Sequence, residues 1–324
     1  MIPLHPEDWV TVVAGDLVEF VGEGGALVRF VVGDTHRDIT LIGDVLEQLA
    51  ADSNLFFFNV DSAERRIHYT NDLLSAVARQ LDLRSVITEF LIAAIVREGF
   101  DMPADATSFV LNDVARVNDL IPADVVALLN QRIRAQILSD RRVVRDLRYA
   151  LSAMAAETLR GDEFGTAVDL VGRWLDGKVS RITELREFGI VQKVSRYNAR
   201  ALLRSVLTWL PAAGRNGSIL YVNAERLGWP KNPRDGYVFY ARAALSDAYE
   251  VMREFIDDTD EMHNVMIVFA MPSEFLSIDP TGRGMGYYQA LQHRVSSFAE
   301  ATLPNPLANM VLLSSKAAKM TIAV

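Results

Sequence analysis

The fold class is decided by residues 26–50, which read ALVRFVVGDTHRDITLIGDVLEQLA. Residues 26–32 form a short apolar, β-branched run that Gly33-Asp34 stops, as expected of a buried strand followed by a turn. Residues 38–51 return to helical spacing, because apolar side chains recur there every three or four positions. We therefore predict a strand, a tight turn and a helix, which is the opening of a parallel α/β fold.

Further β-rich runs lie at 55–60, 218–222, 264–270 and 311–313. Residues 71–209, between the second and third of the five runs, show helical periodicity almost throughout. This alternation predicts a parallel sheet interrupted by a large helical insertion. Residues 1–70 and 210–324 would form the α/β core, and residues 71–209 would form the insertion.

Composition excludes several classes of protein. The chain has 324 residues, a net charge of −9 and no cysteine, so disulfides and thiolate metal sites are ruled out. Its five histidines are scattered without metal-ligand spacing, and we expect neither a metal site nor a cofactor. No apolar run is long enough to span a bilayer and the first residues do not resemble a signal peptide, so we expect a cytoplasmic protein. The negative net charge argues against extensive non-specific binding of nucleic acid.

The turn after the first strand stands where a phosphate-binding P-loop would stand. Such a loop, G-x-x-x-x-G-K-[ST], needs glycines that expose backbone N–H groups, a lysine for the phosphates and a hydroxyl for magnesium. Here a carboxylate replaces the second glycine and an isoleucine replaces the lysine, so the sequence predicts a loop that has lost its function. Its residues are Gly33, Asp34, His36, Asp38, Ile39 and Thr40.

Several segments resemble the ATP-binding proteins of the BREX phage-resistance systems, which are AAA+/STAND-like P-loop proteins. The most specific segments are Ala-Glu-Arg-Leu at 224–227 and Glu-Phe at 274–275; the others are 20–40, 59–61, 198–203 and 268–273. The resemblance implies a P-loop NTPase (AAA+-like) core. Active members carry Gly-Ser-Gly-Lys-Thr in the first loop, which this chain lacks.

The resemblance also implies a degenerate Walker B motif at Val222, Asn223 and Glu225. Active members carry Asp-Glu immediately before Ala-Glu, and the aligned positions here are Val222 and Asn223. The first acidic residue should hold magnesium and the second should polarise the attacking water. A valine does neither, and an asparagine cannot take the proton.

Two further groups of residues are candidates for binding. Arg134, Arg141, Arg145 and Arg148 have the spacing of one helix face, which indicates a site for nucleic acid or an acidic partner. The alternative, which the neighbouring Asp140 and Asp146 favour, is a solvated helix face with internal ion pairs. A candidate protein interface combines aromatic and arginine side chains, the types enriched at binding hot spots. It consists of Arg283, Tyr287, Tyr288 and Arg294, and in AAA+-type proteins an arginine from this region acts on a neighbour's nucleotide.

The sequence therefore favours a non-catalytic pseudo-ATPase. We expect it to act as a scaffold or regulatory subunit of a bacterial anti-phage, DNA-processing complex, bound to its own copies or to an active ATPase, helicase or nuclease. We expect no membrane contact, and only an indirect contact with nucleic acid. Two alternatives stay open: an ATPase that binds nucleotide through an altered loop, and a DNA-binding adaptor.

Overall fold

The computed structural model describes residues 2–103, 109–161, 165–295, 305–317 and 319. The chain divides into two compact units. The core unit comprises Met1–Leu73 and Asn216–Val324, and the helical unit comprises Leu74–Arg215. No helix of the described residues combines the length and the apolar character that crossing a membrane requires.

The core unit is built on a parallel sheet. Its strands among the described residues are β1 Ala26–Gly33, β2 Leu55–Asp61, β3 Gly217–Asn223, β4 Val265–Pro272 and β5 Met310–Leu313. They lie in the order β2-β3-β4-β1-β5, and every neighbouring pair is parallel. The β-rich runs of the sequence therefore share one sheet, and the predicted α/β fold of the P-loop type is confirmed.

Helices complete both units. In the core unit these are α1 Pro6–Asp16, extended by a π-helical turn Leu17–Val21, then α2 His36–Asp52, α10 Arg242–Asp257 and α11 Gln289–Val295, with short 3-10 turns Glu225–Gly228, Thr259–Glu261, Ser273–Leu276 and Met285–Tyr287. Helix α3 Thr70–Gln80 runs across the division between the units. The helical unit contains α4 Leu83–Arg97, α5 Leu111–Val117, α6 Pro122–Ile133, a π-helical turn Arg134–Leu138, α7 Arg145–Arg160, α8 Ala167–Leu175, the 3-10 helix Ile182–Phe188, α9 Ala199–Trp209 and the 3-10 turn Leu210–Ala213.

Side chains point alternately to the two faces of the sheet along each strand, and both faces are covered. On one face, Val31 of β1 belongs to a core that includes Trp9 of α1 and Ile42 of α2. On the other face, the ring of Phe30 stacks on that of Phe269 of β4, with their centroids 5.3 Å apart. The sheet is therefore buried on both sides, as its nearly continuous apolar strands require.

Tyr221 of β3 ties the sheet to the start of α2. Its hydroxyl donates to the carbonyl oxygen of Ile39 at 2.6 Å, and the residue is 2 % exposed. Burial raises the pKa of this hydroxyl, so it stays protonated and donates at any physiological pH. This bond fixes the start of the helix against β3.

We expect Tyr221→Phe to lower the free energy of unfolding by about 1 kcal/mol, the net contribution of one buried hydrogen bond. Urea unfolding followed by circular dichroism measures the change. Tyr237→Phe, at a tyrosine that is 57 % exposed, is the matched control and should leave stability unchanged. Equal stability of all three proteins would show that the bond to Ile39 does not hold α2 in place.

Candidate functional site

The candidate site lies at the carboxyl edge of the sheet. Gly33 ends β1, Asp61 ends β2 and Asn223 ends β3, and Asp61 stands opposite Asn223 in the register of their strands. The strand order reverses beside β1, and ligands of open α/β sheets bind at the carboxyl edge where this happens. The loop and the strand that we interpret as altered P-loop and Walker B motifs therefore both end at the edge where such sheets bind ligands.

Helix α2 begins earlier than a phosphate-binding loop allows. Only Asp34 and Thr35 separate β1 from His36, the first helical residue, whereas the glycine and lysine of a P-loop would stand at Asp38 and Ile39. The backbone N–H groups of Asp38 and Ile39 already donate to the Thr35 carbonyl, at 3.1 and 3.2 Å. The donors that would face a phosphate are therefore used inside the helix.

Thr35 and Asp38 form a capping box at this first turn. The Thr35 hydroxyl accepts from the Asp38 N–H at 3.2 Å, and Asp38 Oδ2 accepts from the Thr35 N–H at 3.0 Å. Such reciprocal bonds satisfy the free N–H groups at a helix start. Sequence reasoning missed Thr35, although the Thr-x-x-Asp spacing at 35–38 is the signature of this motif.

The Asp38 carboxylate also reaches a distant part of the chain. Asp38 is 1 % exposed, and its Oδ1 accepts from the Ser315 N–H at 2.7 Å, just beyond β5. Burial by itself raises the pKa of this carboxyl, but the hydrogen bonds from Ser315 and Thr35 outweigh it and lower the pKa below its ordinary value. Asp38 is thus a structural anion at the helix start, where a bound phosphate would otherwise lie.

Ile39, at the position of the P-loop lysine, faces the core. It is 1 % exposed and belongs to the apolar cluster between α1, α2 and the sheet. Gly33 permits this packing, because a Cβ added there would lie 2.8 Å from Ile39 Cγ1. Thr40, at the hydroxyl position, is exposed and donates to the His36 carbonyl at 3.1 Å.

The Walker B side of the site is polar but lacks a magnesium ligand at its first position. Val222 is fully buried. Asn223 donates to Asp61 Oδ2 at 3.3 Å and accepts from the Glu225 N–H at 3.0 Å. Among the residues that the structure describes, no group of three or more His, Asp or Glu side chains could hold a metal ion.

One contact joins the two halves of the site. Nδ1 of His36, in the first turn of α2, lies 2.6 Å from Oε2 of Glu225. The hydrogen bond to Glu225 raises the pKa of the imidazole above its ordinary value. Its side chain is 74 % exposed, so the pair contributes little stability. The pair connects the first turn of α2 with the turn that follows β3. The sequence alone did not predict a contact between these two segments.

The family model for the BREX system ATP-binding protein BrxC/D matches residues 7–324. The chain belongs to this family. No curated protein and no solved structure matches it. The family's description is ATP-binding, but the first turn of α2 in this BrxC/D-family chain does not fit ATP–magnesium as a P-loop does. Its N–H donors are used, an aspartate caps it and an apolar side chain stands in place of the lysine.

The candidate interface residues are all engaged within the core unit. Arg283 donates to the carbonyls of Leu227 and Tyr240, at 2.8 and 2.7 Å. Tyr287 donates to the Arg242 carbonyl at 3.4 Å. These contacts stabilise the loop between β4 and α11, and a role in an interface would come on top of them.

Arg294 and Tyr288 belong to a charged network between α10 and α11. Arg294 donates to both carboxylate oxygens of Asp257, at 2.5 and 3.0 Å. Tyr288 donates to Glu250, whose pKa is lowered to about 2, chiefly by its hydrogen bond from Arg253. An arginine finger would have to leave the Asp257 pair to reach a neighbour.

The four arginines that were predicted to share one helix face do not lie on one helix. Arg134 starts the π-helical turn after α6, Arg141 lies in a turn, and α7 begins only at Arg145. Arg148 donates to the Leu138 carbonyl at 2.6 Å. The expected ion pairs exist in part, since Arg145 lies 3.7 Å from Asp146, while Asp140 pairs with Arg142.

We expect Asp38→Asn to destabilise the protein at pH 7 by about 2 kcal/mol, because an amide cannot accept all the bonds that the carboxylate accepts. The folded-state pKa of Asp38 is lowered, so its contribution is complete above the unfolded-state pKa of about 4. The contribution is lost as the pH falls through the folded-state pKa. The difference in stability between wild type and variant should therefore shrink below about pH 4.

Urea unfolding between pH 3 and pH 7 measures this difference. Asp34→Asn is the matched control, because it removes an exposed carboxylate from the same loop and should change stability little at any pH. A wild-type advantage over Asp38→Asn that is independent of pH would contradict an ionised capping carboxylate.

Proposed function

We propose that this BrxC/D-family chain is a pseudo-ATPase of a BREX phage-resistance system. It neither binds ATP–magnesium tightly nor hydrolyses it, and it acts through contact with a protein partner. The observation that carries the proposal is the buried side chain of Ile39 at the position of the P-loop lysine. The counter-charge for the phosphates is missing there, and Ile39 packs closely on Gly33, where an added Cβ would lie 2.8 Å from Ile39 Cγ1.

The state of the rest of the site supports the same proposal. The Asp38 carboxylate caps α2, so an incoming triphosphate would meet a negative charge where a P-loop offers N–H donors. Val222 cannot ligate magnesium, and Asn223 cannot act as a general base for a water molecule. Each loss alone would weaken catalysis, and together they remove the positive charge, the metal ligand and the base.

The competing function is ATP binding at an altered site, which the family's description favours. An open groove of about 420 Å³ lies beside the first turns of α2. Arg37, Thr40 and Lys319 line it, together with the acidic Glu7 and Asp44. Glu7 forms an ion pair with Lys319, so the positive charge in this groove is partly neutralised.

Isothermal titration calorimetry with ATP and magnesium tests the proposal directly. We expect no binding at micromolar ATP, and no phosphate release above background. Micromolar binding that Arg37→Ala abolishes would favour the competing function and contradict the pseudo-ATPase. Thr40→Ala is the companion variant, because binding through a P-loop would depend on its hydroxyl.

A restored motif provides the second arm of this test. The double variant Asp38→Gly, Ile39→Lys recreates Gly-Lys-Thr at 38–40 but places an ammonium group in an apolar core. We expect it to lose about 3 kcal/mol or more of stability and to gain no ATP binding. A stable double variant that binds ATP would show that the loop can adopt the P-loop shape.

Partner binding needs a test that separates an interface from the intramolecular network. Arg294→Ala and Asp257→Ala remove the same ion pair, but only the first removes the arginine. If Arg294 faces a partner, co-purification with the neighbouring gene products should fall several-fold for Arg294→Ala and stay near wild type for Asp257→Ala. Equal behaviour of the two variants would assign Arg294 to the fold alone.

A further inference from the structure

Charge is divided unevenly between the two units. The core unit has 13 Lys and Arg residues against 25 Asp and Glu, whereas the helical unit has 20 against 17. The negative charge of the whole chain therefore belongs to the core unit. Within the helical unit, residues 188–204 contain four basic residues and no acidic one.

This basic segment includes an exposed loop, residues 191–198, which we name the 191–198 loop. Lys193, Arg196 and Tyr197 are exposed in it, and Tyr197 reaches 91 % exposure. A large aromatic side chain held almost entirely in solvent, next to basic residues, is typical of a binding surface.

Hydrogen bonds hold the 191–198 loop in place, including one from the Lys193 ammonium to the Ser180 carbonyl at 2.5 Å. Asp146 Oδ2 accepts from the N–H groups of Val191 and Gln192, at 2.9 and 3.0 Å. The Trp174 indole donates to the Gln192 carbonyl at 2.8 Å. At the far end, Asn198 Oδ1 accepts from the Ser195 N–H at 2.8 Å. Fixed loops of this kind present binding residues without an ordering cost on association.

A second aromatic residue and a second arginine adjoin the loop. Tyr149 of α7 is 41 % exposed, and its ring packs over Gly189. The guanidinium of Arg145 lies over the Tyr149 ring, 4.9 Å from its centroid. Arg145 also lines an open groove of about 250 Å³ with Val191 and Asn198. Arg145 therefore connects the Tyr149 ring with residues at both ends of the 191–198 loop.

We propose that this surface binds single-stranded nucleic acid. Bases stack on exposed aromatic rings regardless of sequence, and Lys and Arg beside them neutralise the phosphates. The exposed ring of Tyr197 suits unpaired bases, because a duplex keeps its bases stacked inside. The proposal is independent of the nucleotide site, because all its residues belong to the helical unit.

The full-length protein tests it, with a fluorescein-labelled oligothymidine of about 20 nucleotides, longer than the stretch that one such module covers. We expect Tyr197→Ala to weaken binding, measured by fluorescence anisotropy, about tenfold, the effect of losing one stacked base. Tyr197→Phe keeps the ring and should bind like wild type. Tyr237→Ala, at an exposed tyrosine of the core unit, is the matched control and should also bind like wild type.

The contribution of the basic residues is tested separately, through the salt dependence of binding. Lys193→Ala with Arg196→Ala should reduce the salt dependence of binding, the slope of log K against log salt concentration, by about 1.4. Arg116→Ala, an exposed arginine elsewhere in the helical unit, should reduce it far less. Three results would overturn the proposal: no binding by the wild type at low salt, equal losses for Tyr197→Ala and Tyr237→Ala, or equal affinity for duplex and single strand.

Discussion

The buried carboxylate of Asp38 is the contact on which the candidate site depends. It accepts from the Thr35 N–H, the Thr35 hydroxyl and the Ser315 N–H, at 3.0, 2.7 and 2.7 Å. The first two bonds start α2 at His36, and the third ties that start to the chain beyond β5. Ile39 follows Asp38 in the first turn of α2, and its side chain is buried between α1, α2 and the sheet. One carboxylate thereby fixes the helix, the edge strand and the core packing.

The same contact explains why stability and nucleotide binding conflict at this place. A P-loop leaves several N–H groups unpaired until a phosphate arrives, so the free protein carries their cost. Here the chain supplies its own anion, and the helix start is satisfied without a ligand. The Ile39 side chain adds apolar burial where a lysine would need solvent or phosphate. The proposed loss of ATP binding is in keeping with this, because the N–H groups that would bind a triphosphate are already satisfied within the chain.

The strands could be predicted from sequence because each is a short β-rich run bounded by turn residues, as at Gly33-Asp34. The order of strands could not, since side-chain pattern does not record which strand lies beside which. The capping box could have been predicted from Thr35 and Asp38, but the bond from Ser315 could not, because it joins residues 277 positions apart. The prediction of one helix face that carries the four arginines was wrong. The helical spacing of these arginines continues through residues 139–144, but the chain turns there, and Asp140 accepts from the Arg142 N–H at 3.0 Å.

Net charge averaged over the chain concealed the difference between the two units. A value of −9 disfavours non-specific binding to nucleic acid only if the charge is spread evenly. Counterion release depends on how many phosphates a local surface neutralises. Charges farther away than a Debye length of about 8 Å are largely screened by salt. The helical unit is basic while the core unit is acidic, so attraction by the one can coexist with repulsion by the other.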